Sequence, residues 1–91
     1  MNKKRDSMEI IHDILKYIGE CRGKAKPTNI LYKSNLSHQM LTEYLNDLLL
    51  KGLIKEIKQD DKKLYELTPK GYSFLNDYNI IRKFMTSYGF E

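Results

Sequence analysis

Ser34-Asn35-Leu36-Ser37, the run from His38 to Lys51, and Gly52-Leu53-Ile54 make up the stretch that decides the fold. Ser34-Asn35-Leu36 reads as a tight turn. Ser37 reads as the N-cap of the helix behind it, since a serine hydroxyl accepts one of the free N–H groups of a first turn. Leu41, Leu45 and Leu48 recur at spacings of four and three and mark one apolar stripe on a helix over 38–51, with Tyr44 beside it. Gly52 follows at once, where a helix of this kind needs a left-handed cap. Upstream, Pro27 and Thr28 open a short helix to about Lys33 with Ile30, Leu31 and Tyr32 as its apolar residues. Two helices joined by a tight turn form a helix-turn-helix, with Leu31 and Leu36 in the angle between them.

Downstream, residues 53–58 and 63–67 alternate apolar and polar positions around the turn Gln59-Asp60-Asp61-Lys62, which predicts a two-stranded hairpin. A hairpin directly behind the second helix makes the motif winged. Thr68 caps a last helix and Pro69 opens it. Phe74, Tyr78, Ile81, Met85 and Tyr88 follow at alternating spacings of four and three, a heptad-type seam. At the other end, Ile11, Ile14, Leu15 and Ile18 predict a first helix over 8–20 with Ser7 as its cap. Ile10 and Tyr17 widen that helix's apolar face, which suggests a second packing partner. Residues 19–26 break the pattern with two glycines and a run of cations, and a short strand is expected at 24–26. The fold class is therefore α+β, mostly α: a three-helix core, a two-stranded wing and a long C-terminal helix over 69–88. Residues 1–91 form a single domain, with residues 1–7 as a flexible basic arm.

The segments Ser34-Asn35-Leu36-Ser37, Tyr44-Leu45-Asn46-Asp47-Leu48, Lys51-Gly52-Leu53-Ile54 and Tyr65-Glu66-Leu67-Thr68-Pro69-Lys70-Gly71 resemble archaeal winged-helix proteins. The nearest type is the small 10a-type DNA-binding family with its predicted transcriptional regulators. The resemblance spans about residues 8–85. It implies DNA binding as a dimer, with the last helices pairing as an antiparallel coiled coil. This chain departs from the type in a shorter last helix and in a recognition helix that carries Glu43 and Asp47.

Charge supports the same direction. The formal net charge is +4. All of the excess lies in residues 1–33, where Lys3, Lys4, Arg5, Lys16, Arg22, Lys24, Lys26 and Lys33 face only Asp6, Glu9, Asp13 and Glu20. Backbone contacts to DNA are expected from Lys3, Lys4, Arg5, Arg22, Lys24, Lys26, Lys33, Ser37 and the wing lysines Lys58, Lys62 and Lys63. Base reading is expected from His38, Gln39, Thr42, Glu43 and Asn46, because residues near the start of the second helix reach base edges in the major groove. Glutamine and asparagine can pair with adenine, and a threonine methyl can touch thymine. A homodimer is expected through Phe74, Tyr78, Ile81, Met85 and Tyr88, with Ile10 and Tyr17 added to the contact.

Cys21 is the single cysteine, which excludes an internal disulfide and a multi-cysteine zinc module. His12 and His38 lie on different helices, Cys21 has no nearby base in sequence, and no Gly-rich phosphate loop occurs, so the chain is not read as an enzyme. No metal, cofactor, small-molecule ligand or membrane contact is expected, and the place expected is the cytoplasm, on the nucleoid. A sequence-independent architectural chromatin protein, and a winged-helix protein-interaction module without DNA, stay open beside the regulator.

Overall fold

The structure is a computed structural model that describes residues 6–90. Its elements run α1 (Ser7–Glu20), α2 (Pro27–Ser34), α3 (His38–Leu50), β1 (Ile54–Gln59), β2 (Lys62–Leu67) and α4 (Pro69–Ser87). The two strands pair antiparallel, Ile54 opposite Leu67 and Gln59 opposite Lys62. This is the mostly helical α+β architecture expected.

Helix α1 starts at Ser7, one residue earlier than expected. Asp6, not Ser7, is the N-cap: its carboxylate accepts the Glu9 N–H at 2.8 Å, while the Glu9 carboxylate accepts the Asp6 N–H at 3.3 Å. The exchange satisfies two donors that a helix start leaves without partners and sets two anions at the positive end of the dipole. Asp6 and Ser7 thus belong to the domain rather than to the arm. Lys3, Lys4 and Arg5 lie outside the described residues.

The turn between α2 and α3 needs a residue that tolerates the left-handed region, and Asn35 sits there at φ 57°. Ser37 Oγ accepts the Met40 N–H at 3.1 Å and so caps α3 as expected. At its other end Gly52 adopts φ 77°. Leu53 N–H then donates to the Leu48 carbonyl at 2.9 Å and Gly52 N–H to that of Leu49 at 3.1 Å, the paired closing bonds of a glycine-capped helix.

The core gathers Ile10, Ile14, Leu15 and Ile18 of α1, Ile30 of α2, Leu41, Leu45 and Leu48 of α3, and Ile54, Tyr65 and Leu67 of the sheet. Helix α1 is touched by α2, α4 and β2 together. That is where its broad apolar face goes. Ile10, expected in a dimer contact, is buried in the protein's own core instead. Tyr17 packs half-buried against the same core. Its hydroxyl shares a hydrogen bond with Cys21, which raises its pKa.

A backbone bridge joins the wing to the segment between α1 and α2. Tyr65 N–H donates to the Ala25 carbonyl at 2.9 Å, so the strand expected at 24–26 is a single bridge. Its tip holds Asp60 at φ 51° and Asp61 at φ 62°. Two left-handed central residues match the twist of a hairpin, but side chains bring a steric cost there that glycine avoids. Asp61→Gly is therefore expected to stabilise the domain by about 0.5–1 kcal/mol. It should raise the urea midpoint at unchanged slope; a lowered midpoint would show that the tip gains more from the aspartate than it loses.

The start of α4 locks onto the turn between α3 and β1. Thr68 Oγ1 accepts the Gly71 N–H at 3.1 Å and donates to the Gly52 carbonyl at 2.6 Å, while Thr68 N–H reaches the Leu53 carbonyl at 3.2 Å. Lys70 Nζ donates to the Lys51 carbonyl at 2.8 Å. Gly71 comes so close that a Cβ there would lie 2.2 Å from the Leu53 carbonyl oxygen. Gly52-Leu53-Ile54 and Thr68-Pro69-Lys70-Gly71, far apart in sequence, are two halves of one junction. Beyond it Phe74, Leu75 and Tyr78 are half-buried, and every residue from Asn79 to Phe90 is exposed.

Candidate nucleic-acid interface

A cleft of about 270 Å³ opens where α2, α3 and β2 meet. Thr28, His38, Thr42, Asn46 and Lys63 edge it, over a floor that includes Leu41 and Tyr65. The leucines of α3 that anchor it to the core thereby orient its polar residues on this side. Thr42 Oγ1 donates to the His38 carbonyl at 2.9 Å, which fixes its rotamer. Lys63 Nζ stands 3.2 Å from Glu56 Oε2, and that hydrogen bond raises the Lys63 pKa, so the ammonium stays charged. Burial raises the pKa of the Tyr65 phenol.

His38, Thr42 and Asn46 are thus brought together, with Lys63 across from them. Gln39 is exposed but lies outside the cleft. Glu43 is separated from it as well: it lines a different groove with Met40, Tyr44 and Asp47. One helical step of 100° turns its carboxylate away from Thr42. Asp47 in turn is ion-paired to Lys51. Tyr44 is half-buried, its hydroxyl 3.4 Å from Ser7 Oγ. Leu50, 86% exposed at the end of α3, is an apolar residue on the outward ridge of Gln39 and Glu43 that the sequence reading passed over. Its spacing of four, seven and eleven residues from Asn46, Glu43 and Gln39 was the available signal.

The five loop and wing lysines do not form one surface. Successive β residues face opposite ways. Lys63 and Tyr65 face the cleft, and Lys58, directly opposite Lys63 in the register, shares that face. Lys62 and Leu64 point the other way, where they meet Lys24 and Lys26. Arg22, at φ 52°, and Lys33 are exposed and line neither hollow.

The seam on α4 divides in two. Its inner part packs at home: Tyr78 stacks on His12 with centroids 4.3 Å apart and planes 17° from parallel, and Phe74 lies 6.2 Å from Tyr78. Its outer part is bare, with Ile81 60% and Tyr88 67% exposed and Met85 also exposed. Ile80 and Phe84, exposed on the same side, widen the stripe beyond the expected seam. Phe84 and Tyr88 pair their rings at 5.0 Å.

A helix-turn-helix with a hairpin behind its second helix, a polar line on that helix and cations on the hairpin define a winged helix-turn-helix protein with a DNA-binding fold. The sequence pattern of the winged helix-turn-helix family matches residues 4–86, and the chain belongs to that family. It is 38% identical over 72 residues to an uncharacterized protein of Methanocaldococcus jannaschii, covering 79% of this chain and 71% of that one. In structure it is similar to Sso10a-2, a DNA-binding protein from Sulfolobus solfataricus, with a TM-score of 0.72, 29% identity and coverage of 91% of this chain and 87% of that one. It also shares its fold with Streptococcus pneumoniae FabT in complex with DNA, at a TM-score of 0.70 and 23% identity over 92% of this chain and 59% of that one. The archaeal winged-helix resemblance therefore holds. Among the described residues no helix is long and apolar enough to cross a membrane. Nor do three or more His, Cys, Asp or Glu side chains gather there as a metal site.

Proposed function

We propose that the protein is a transcriptional regulator that binds double-stranded DNA as a homodimer, with α3 in the major groove. The observation that carries this reading is the cleft, where His38, Thr42 and Asn46 of α3 stand opposite Lys63 of the wing. Amide, hydroxyl and imidazole groups on one helix face suit base edges, and a wing lysine suits the flanking phosphate. The kinship with Sso10a-2, a DNA-binding protein, supports it. The bare stripe Ile80, Ile81, Phe84, Met85 and Tyr88 supports pairing of two α4 helices. Two recognition helices then read half-sites about one DNA turn apart. The protein works where the DNA is, on the nucleoid.

Duplex binding followed against salt tests the reading. With about four to six phosphates neutralised per protomer, log Kd is expected to rise with log salt at a slope of roughly 4–5 per protomer. A flat response would remove DNA as the ligand and leave the interaction module. Selection from a random duplex pool then separates regulator from architectural protein: a shared enriched motif supports the regulator, and no enrichment the architectural reading.

A further inference from the structure

On the face of the wing away from the recognition cleft lies a second hollow of about 300 Å³. Lys24 and Lys26 enter it from the segment between α1 and α2, and Lys62, Gln59 and Asp60 from the hairpin tip, over Leu64. The bridge between Ala25 and Tyr65 sets the register that brings these two segments together. It buries Ala25 and turns the lysines on either side of it outward, onto the face that Lys62 shares. None of the three lysines takes part in an ion pair among the described residues, whereas Lys51, Lys55 and Lys63 all do. Three lysines therefore line one hollow with Asp60 as the single anion lining it. Like charges repel, and an anion seated between them reverses the sign of the interaction.

We infer that Lys24, Lys26 and Lys62 form one phosphate seat that clamps the wing to the α1–α2 segment, and that its occupant is a phosphodiester of bound DNA. The inference rests on the DNA reading above and adds a site outside the recognition cleft. Its lining favours a backbone over a free nucleotide, since no aromatic ring is present there to stack a base and Leu64 is its one apolar residue. With Lys63 and Lys58 on the opposite face, the wing holds phosphate on both sides.

The test uses the full chain, a duplex of about 25 base pairs that binds the wild type, and Lys24→Ala, Lys62→Ala and the double variant. Lysines on one phosphate act together. Each single change is expected to weaken binding roughly 5–10-fold and to lower the salt slope by about 1. The double variant should lose clearly less than the product of the singles, because the second lysine has lost its shared partner. Losses that multiply would overturn the seat and leave separate surface charges; losses under twofold would overturn any contact here while DNA binding itself stands. If the wild type binds no duplex, amide NMR with inorganic phosphate decides: shifts confined to residues 24–26 and 59–64 and absent from the double variant support the seat for free phosphate, and no shifts remove it.

Discussion

With Ile81 and Phe84 both changed to aspartate, light scattering is expected to give the monomer mass of 10.8 kDa, and for the parent chain twice that value. Both side chains are more than half exposed on one side of α4 and touch nothing in the core. A carboxylate in their place would be desolvated in a helix–helix contact without a partner, which costs several kcal/mol per charge. The isolated domain should keep its fold, because no described residue after Tyr78 is buried in it. DNA affinity should fall with the dimer. Two linked reading heads hold each other near the DNA at millimolar effective concentration, so the monomer is expected to bind a two-half-site duplex about 100-fold more weakly or worse. A half-site duplex should lose far less. An unchanged mass would place the contact elsewhere than on α4.

Gly71→Ala is expected to cost about 3 kcal/mol or more, a large share of the roughly 5–10 kcal/mol that holds a domain of this size. The added methyl would meet the Leu53 carbonyl oxygen at 2.2 Å and Leu67 Cδ2 at 3.2 Å. A backbone oxygen in a hydrogen-bonded junction cannot step aside, so α4 must lift from the turn it is bolted to. Gly52→Ala supplies the contrast. Its φ of 77° disfavours a side chain, but nothing lies within 4 Å of a Cβ there, so a loss of about 1–2 kcal/mol is expected. Urea unfolding of the two variants separates steric from conformational cost, and equal losses would refute the steric account of Gly71.

Much of the fold was legible because its signals are local. Ser37, Gly52, Thr68 and Pro69 act on their own helix ends, and the spacing of Leu41, Leu45 and Leu48 needs no knowledge of the partner. What stayed hidden depends on contacts between distant segments. Ile10 reads as a spare apolar residue until three elements are seen to converge on α1. The lysines of the loop and wing read only as backbone-contact candidates until the Ala25 bridge and the strand register divide them between two faces. Ile80 and Phe84 fall outside a strict heptad seam, yet no core reaches them and they lie bare. Among the base-reading candidates, His38, Thr42 and Asn46 come together in one cleft, while Glu43 is turned away by a helical step too small for a residue list to respect.

Helix α4 is packed on the core only through its first half, and the residues of its second half are exposed. In a dimer joined through that half, α4 is a ruler. Each heptad added or removed there would shift the two reading heads by about 10 Å, close to a third of the roughly 34 Å between successive half-sites. Operator spacing could then drift over evolution through the length of one helix, with the core and the recognition helix left as they are.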